Sequence, residues 1–545
     1  MSKQILYGAE AKRKLQAGVD AVANAVKVTI GPRGRNVMLD KGYGGPTITN
    51  DGVSIAKDIT LRDKFENMGA EMIKEVANKV NDLAGDGTTT ATILTQALIA
   101  EGLKETSFGR SPLVIRRGME IARDDVIAAL KKAAKPIRNS EEIVQVATIS
   151  AENAALGAKI AETIEKVGKD GVVTVQESQS FDIETEITEG MQFDKGYVSP
   201  YMVTNPERME SEYKDTPILI TSEKISSLKD ILPLLEKIAQ TGRKELIIIA
   251  EDIEGEALTT FVLNKLRGGF SVLGIKAPGF GDRKKEVLHD IAVVTGATVV
   301  SPEVGLSLEN VDLAHLGQAA RVVSTKDTTT IVDGKGSKAA IKERVAAIRS
   351  HLAQATAKYD KEKLAERLAK LTGGVAVIRV GAATETEMKY LKLKVEDAVA
   401  ATKAAIDEGI VSGGGTSLAK AASVARKGLT KRDDITDEEL VGYHIVLRAL
   451  EAPLRQIAEN AGMMDGAVVL SEVQKLGGNA GYDAQKGIIV ADMIAAGIID
   501  PVKVERAGVE YAVSAAGIFL TTECVIADEP EEKAEASSAG MQGMY

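Results

Sequence analysis

Gly85-Asp86-Gly87-Thr88-Thr89-Thr90 runs directly into an apolar stretch that continues through Ile93, Leu94, Leu98, Ile99 and Leu103. Glycines let a backbone approach a ligand closely, threonines supply caps and hydroxyls, and the open amides of a helix start attract an anion. Asp86 in such a loop would hold Mg²⁺ against phosphates rather than oppose them. Taken alone, an ordinary Gly-Thr helix cap accounts for the same residues. Two further loops shift that balance: Thr29-Ile30-Gly31-Pro32-Arg33-Gly34 follows one helical stretch, and Gly413-Gly414-Gly415-Thr416 precedes another. None of them is GxxxxGK[ST], so a phosphate cradle here belongs to a fold other than the P-loop type.

Outward from this loop, apolar residues recur at three and four spacing in Ala11 to Ile30, Met68 to Leu83, Thr88 to Leu103 and Leu113 to Leu130, which predicts a helix bundle. Asn36 to Ile55 interrupts it as a hairpin with the glycine-rich turn Gly42-Tyr43-Gly44-Gly45. From Asp170 strand signals take over, at 172–175, 183–187, 218–220, 246–250, 272–275 and 298–300, several alternating with amphipathic helices. Helical pattern returns at 339–371, 395–408 and 416–427, around a strand at 375–380. The expected architecture is multidomain, α and α/β, with one mainly helical domain built from both chain ends and smaller domains inserted between them. Residues 529–545, acidic and small with a Gly-Met repeat, read as a disordered tail.

A chain of 545 residues predicts roughly three or four domains. Its 68 basic and 78 acidic residues leave a net charge of −10, so no basic face awaits a phosphate backbone. Aromatics at 3%, with no Trp, give little for bases to stack on. Nucleic acid is therefore not an expected partner. One cysteine, Cys524, forms no intrachain disulfide, and His289, His315, His351 and His444 have no zinc-type spacing. With no apolar signal core at its first residues and no run of about 18 apolar residues, the chain reads as cytoplasmic and not membrane-bound.

Hydrolysis needs a group that orients or deprotonates water. Asp51, beside Gly52, and Asp397, in Val395-Glu396-Asp397-Ala398, are candidates; a turn aspartate and a solvated helix face are the plainer readings. Arg33 and Arg35 are candidate phosphate clamps. A separate feature is apolar excess on two stretches of the α/β part. Ile231, Leu232, Leu234, Leu235 and Ile238 cover an arc of roughly 160°, and Ala257, Leu258, Phe261, Val262, Leu263 and Leu266 roughly 240°. The second arc exceeds what one buried face requires; a helix sandwiched between layers is the plainer reading, a solvent-facing apolar groove the sharper one. Tyr197, Tyr201 and Met202 would extend any apolar surface formed there.

These motifs, with Asp63-Lys64-Phe65-Glu66-Asn67-Met68-Gly69-Ala70 and Asp500-Pro501-Val502-Lys503-Val504, resemble the bacterial group I (GroEL-type) chaperonins from about Lys3 to Ile526. The resemblance implies an ATP-hydrolysing chaperone built as seven-subunit rings, two of them stacked, that captures non-native polypeptides and encloses them with a GroES-type co-chaperonin. It implies an equatorial ATPase domain (1–133 and 409–528), an intermediate domain (134–189 and 375–408) and an apical domain (190–374). Hinges would fall at Pro136 and Gly409, and at Gly190 and Gly374. Carried over by motif, Thr29, Ile30, Gly31 and Pro32 would line ATP, Asp86 would hold Mg²⁺, Gly87, Thr88, Thr89 and Thr90 would contact phosphates, and K⁺ would sit nearby. Asp51 and Asp397 would position the water, while Gly414, Asp483, Ala484, Ile498 and Asp500 would surround the adenosine. Client and co-chaperonin contacts would come from Tyr197, Tyr201, Met202, Leu232, Leu235, Leu258, Val262, Leu263 and Asn264. Met202 departs from a usual aromatic and Asn50 from a usual lysine. A small-molecule kinase would share the phosphate loops but has no use for broad apolar arcs; a ring scaffold has no use for three carboxylates.

Overall fold

Four of the helices expected from apolar spacing form, as Gly8–Val26, Lys64–Ala84, Thr88–Ser107 and Pro112–Ala133, in a computed structural model that describes residues 2–40, 46–168, 171–178, 183–188, 190–206, 208–279, 281–355, 358–429, 432 and 434–529. The Gly42–Gly45 turn and the tail beyond Glu529 lie outside the described residues. The chain divides into two units, one made from the segments before Glu162 and after Ala382, the other from Glu162–Ala382. Both chain ends thus build one unit around an inserted middle.

The first unit is helical. At its centre lies Val502–Thr521, buried at Val504, Gly508, Val509, Ala512, Val513, Ala516, Phe519 and Leu520; a helix that is apolar nearly all round belongs inside. Thr88–Ser107 and Pro112–Ala133 pack on it. Pairs of small residues bring other helices close. Gly18 faces the backbone of Glu66 and Gly69 that of Leu15, while Gly118 faces Glu439 and Gly442 faces Ile115. The Asp63–Ala70 motif is explained by these demands. Asp63 caps Lys64–Ala84 by accepting from the Phe65 and Glu66 amides, Lys14 bridges Asp63 and Glu66 at 2.7 and 2.8 Å, and Gly69 makes room for the neighbouring helix.

The chain ends meet in a two-stranded antiparallel sheet, Lys3–Tyr7 against Cys524–Asp528, with Ile5 opposite Ile526. Ile5, Tyr7 and Ile526 are exposed on it. The expected hairpin is shorter than its sequence pattern: Val37–Leu39 pairs with Thr47–Thr49, and Val53 and Ile55 belong to the helix Gly52–Asp58, capped by Asp51.

The second unit holds an eight-stranded mixed sheet. Ser271–Lys276, Glu245–Ala250 and Pro217–Thr221 run parallel, which explains their near-continuous apolar sequence. Gly317–Ser324, Thr329–Gly334 and Gly190–Phe193 continue it antiparallel. A smaller sheet places Val375–Val380 between Val172–Glu177 and Glu184–Thr188. The helical stretch at 339–371 forms as two helices, Lys338–Gln354 and Lys358–Thr372. Arg344 and Arg367 both reach Asp290, at 2.6 and 2.8 Å, and fasten them to Asp282–Thr295.

Each pair of expected hinge residues is brought together. A Cβ on Gly190 would stand 2.8 Å from Val375, and one on Gly374 2.8 Å from the Thr188 carbonyl. Gly409, at φ 87°, lies against Lys135 beside Pro136. No described helix is long and apolar enough to cross a membrane.

Candidate functional site

Two helix starts in the first unit converge. Gly85 and Gly87 take φ of 68° and 83°, the left-handed region that glycine enters at no steric cost, and so turn the chain sharply on either side of Asp86. The helix Thr88–Ser107 begins immediately after. Opposite stands the start of Gly52–Asp58, where a Cβ on Gly52 would lie 2.5 Å from Thr89 Oγ1 and 2.8 Å from Thr88 Oγ1. The Thr29 hydroxyl lies 3.5 Å from that of Thr89. Amides and hydroxyls from three segments therefore share one small space, the arrangement that favours an anion.

Two carboxylates, Asp51 and Asp86, border this space, and a third, Asp397, lies within reach of their charges. Asp51 accepts from the Val53 and Ser54 amides at 3.2 and 2.9 Å and from the Ser54 hydroxyl at 2.5 Å. Asp86 accepts from the Gly87 amide and, at 3.0 Å, from the Ser150 hydroxyl. Burial raises its pKa despite these bonds and despite the Lys394 charge. Asp397 is pushed well above the usual carboxylate range, by burial first and then by the charges of Asp51 and Asp86. Lys394 is half-buried and pairs with Glu152 at 2.7 Å. Burial lowers its pKa, yet Glu152, Tyr390 and Asp397 together outweigh that and leave it raised.

Such a set fits a divalent cation that arrives with its phosphates. Mg²⁺ is commonly held by one or two carboxylates plus phosphate oxygens and water, not by an all-protein cage. Among the described residues no three His, Cys, Asp or Glu side chains form such a cage. Asp86, raised in pKa and flanked by glycines, is the carboxylate that a cation would relieve.

A second group adjoins the first. The Gly414 amide donates to Asp500 Oδ2 at 3.0 Å, and the Gly413 amide to the Ile498 carbonyl at 3.0 Å. Val504 touches the position a Gly87 side chain would take, which joins the two groups. Among the described residues, Thr416 Oγ1, Tyr482 OH and Glu505 Oε2 are buried without a hydrogen-bond donor or acceptor, and Thr416 lies against Gly481. An orphaned hydroxyl beside a glycine-lined corner, that of Thr416, suits a polar ligand such as a nucleoside.

The remaining expected residues are mixed. Gly31, at φ 86°, packs on Ile457, and Asn460 holds the Lys27 and Ile30 carbonyls at 2.9 and 3.0 Å; Pro32 is exposed. Asp483 is buried, and its carboxyl is engaged by the Gln485 and Lys486 amides and by the Lys486 ammonium at 3.2 Å. Ala484 is buried in the cluster around Leu454 and Tyr482. Arg33 is exposed, and its guanidinium donates to the Gln485 carbonyl at 3.0 Å. Ser150, Lys394 and Glu505 are not singled out by the sequence: the first two come from helices whose local pattern resembles a solvated face, and Glu505 is a lone acid in the first turn of the buried helix Val502–Thr521.

In the second unit, the helix Gly255–Leu266 buries only Ala257 and Phe261. Leu263 and Asn264 are exposed, while Leu258 and Val262 are half-buried. The helix Leu232–Gln240 buries Leu234 and Ile238 and exposes Leu232, with Leu235 half-buried. Tyr201 is 67% exposed. Tyr197 and Met202 do not extend this surface. Tyr197 bridges to Ile275, and Met202, fully buried, accepts the Gly274 amide on its sulfur, so both serve the core.

A helical unit made from both chain ends, carrying a glycine- and threonine-lined cradle, and an inserted α/β unit make up the chain. The TCP-1/cpn60 chaperonin family matches residues 22–530, and the chain belongs to that family. It is a protein-folding chaperonin; members of the family are generally ATPases and assemble as oligomeric rings that bind unfolded substrates.

Proposed function

We propose that this chain is an ATP-driven chaperonin of the bacterial group I type, acting in the cytoplasm as stacked rings of seven subunits with a GroES-type co-chaperonin. The observation that carries this reading is the meeting of Asp51, Asp86 and Asp397 at two helix starts. ATP would lie between the Thr88 cradle and the Gly414 corner, with Mg²⁺ on Asp86 and K⁺ near the phosphates. Bound there, Mg²⁺ would neutralise charge on the phosphates. Asp51, fixed by its own helix amides, and Asp397 would orient the attacking water. The equatorial, intermediate and apical subdivision would place Asp397 in the intermediate part, so that its arrival couples hydrolysis to movement at the Pro136–Gly409 and Gly190–Gly374 hinges.

Client capture is proposed at Tyr201, Leu232, Leu235, Leu258, Val262, Leu263 and Asn264. Exposed apolar surface binds non-native chains without reading a sequence, since such chains share apolar exposure and little else. Leu263→Ser should therefore leave ATP turnover in place while weakening capture severalfold. Titrating a denatured, fluorescently marked client onto the variant checks this, and undiminished capture would remove Leu263 from the surface.

Ring assembly is proposed through the Lys3–Tyr7 and Cys524–Asp528 sheet, whose exposed Ile5, Tyr7 and Ile526 suit the exposed Met38 and Ile48 of a neighbour's hairpin. Deleting Lys3–Leu6 should shift sedimentation from rings to smaller species. Rings of unchanged size would contradict it. The whole reading is tested by measuring ATPase rate and client aggregation together, with and without a co-chaperonin. Nucleotide-dependent suppression of aggregation is expected; suppression indifferent to ATP would overturn it.

A further inference from the structure

Glu505 takes no part in the chemistry proposed above, yet it lies where a carboxylate is hardest to place. It occupies the first turn of Val502–Thr521 and is 4% exposed. Its Oε1 receives one long contact, from the Ser417 hydroxyl at 3.5 Å, and its Oε2 meets no N–H or hydroxyl donor among the described residues. The group that faces it is the Asp500 carboxyl, whose own donor is the Gly414 amide. The other charge acting on the pair is that of Asp86, also negative.

Two ionised carboxylates in that enclosure would repel each other and a third, with one amide and one hydroxyl to hold them. Buried carboxyl groups that face each other share a proton, because the second ionisation must be made against the first. Burial and the Asp500 charge raise Glu505 well above the ordinary carboxylate range, and burial raises Asp500 as well. Asp500 retains the better donor, so the proton resides on Glu505.

We propose that Glu505 is a carboxylic acid that donates its hydrogen to Asp500, making it the positioning residue for the Asp500–Gly414 corner where the nucleoside is placed. The pair then carries one negative charge, and Asp500 is held with one oxygen on Gly414 and the carboxyl plane fixed by Glu505. This inference rests on the nucleotide reading given above. It adds that the site's affinity depends on a proton belonging to the protein. As pH rises the shared proton leaves, a second negative charge appears beside an anionic ligand, and binding weakens.

The test uses the full chain and MgADP, titrated by calorimetry between about pH 6 and 9, for the parent, Glu505→Gln and Glu505→Met. Glutamine keeps shape and a hydrogen to donate but cannot ionise; methionine keeps volume and donates nothing. Glu505→Gln should bind within about twofold of the parent at the acid end and lose the parent's weakening with pH. Glu505→Met should bind about tenfold more weakly than Glu505→Gln at every pH, the scale of one hydrogen bond to a charged group. A parent that binds no MgADP would refute the nucleotide reading itself. A parent that binds, with both variants matching its affinity and its pH profile, would refute the role of Glu505 alone; so would equal losses in Gln and Met, since donation of a hydrogen would then not be what matters.

Discussion

Asp397→Ala should bind ATP with the parent's affinity and hydrolyse it about 10²–10⁴-fold more slowly, the range associated with one well-placed general base or water-orienting group. Binding survives because the cradle is made of other groups: the Thr88–Thr90 helix start, Gly87, Asp86 and the Gly414 corner. Single-turnover hydrolysis beside equilibrium binding separates the two quantities. Unchanged turnover would exclude Asp397 from the chemistry, and lost binding would place it in the cradle instead. A second readout follows from the same electrostatics. Because the folded state raises the pKa of Asp397, it holds a proton that the unfolded chain gives up, so stability falls as pH rises from the ordinary carboxylate range toward the raised value. Asp397→Asn removes that penalty. Without nucleotide it should melt higher than the parent at neutral pH and lose that advantage in acid, while remaining as slow as Asp397→Ala. A site that is less stable empty than disarmed is the expected signature of charge assembled for a ligand.

What could be read from the sequence was what chemistry decides locally. Gly85, Gly87 and the three threonines announce a left-handed turn into a helix start, and that is what forms. The parallel strands at 217–221 and 245–250 are legible because burial on both faces leaves 218–220 and 246–250 without a polar residue. The hairpin Gly317–Ser324 and Thr329–Gly334 was not legible. Its turn carries no glycine and is closed by Thr325, whose hydroxyl accepts the Asp327 and Thr328 amides. Met202 misled because apolarity says nothing about direction; the Gly274 amide and the sheet beneath it draw the side chain inward. Ser150, Lys394 and Glu505 were silent for a related reason. Ser150 and Lys394 sit on helices where a polar residue ordinarily faces water, and only Asp86 and Glu152, brought from far along the chain, give them partners; Glu505 stands near Asp500 in sequence, but nothing local says that the first turn of its helix is buried. The wide arc on Gly255–Leu266, by contrast, was informative because an excess over one buried face has to emerge somewhere.

Replacing Gly118 or Gly442 should damage stability more than any change at the surface. The helices Pro112–Ala133 and Asp437–Ala449 cross where each places a glycine against the other's backbone. A Cβ on Gly118 would stand 1.8 Å from the Glu439 carbonyl oxygen, and one on Gly442 2.0 Å from that of Ile115. Neither obstacle is the end of a flexible side chain, so the helices must part. Parting them strips contacts from Ile115, Met119, Ile445 and Val446, all buried in the same core, and disturbs Tyr443, whose hydroxyl donates to Asp125 at 2.9 Å. Overpacking typically costs about 1–3 kcal/mol where side chains alone must adjust; with two backbones in the way, the upper end of that range is expected for Gly118→Ala. At roughly 2–4 °C per kcal/mol for a domain of this order, its melting midpoint should fall by several degrees. Gly428→Ala is the control of opposite sign. It ends the helix Thr416–Gly428, a Cβ there meets nothing within 4 Å and its φ is not left-handed, so alanine should stabilise by about 0.4–1 kcal/mol through the unfolded chain's lost freedom. Thermal melts of the two variants should therefore move apart from the parent in opposite directions. A Gly118→Ala midpoint equal to that of Gly428→Ala would mean that the helix crossing is looser than its backbone distances require.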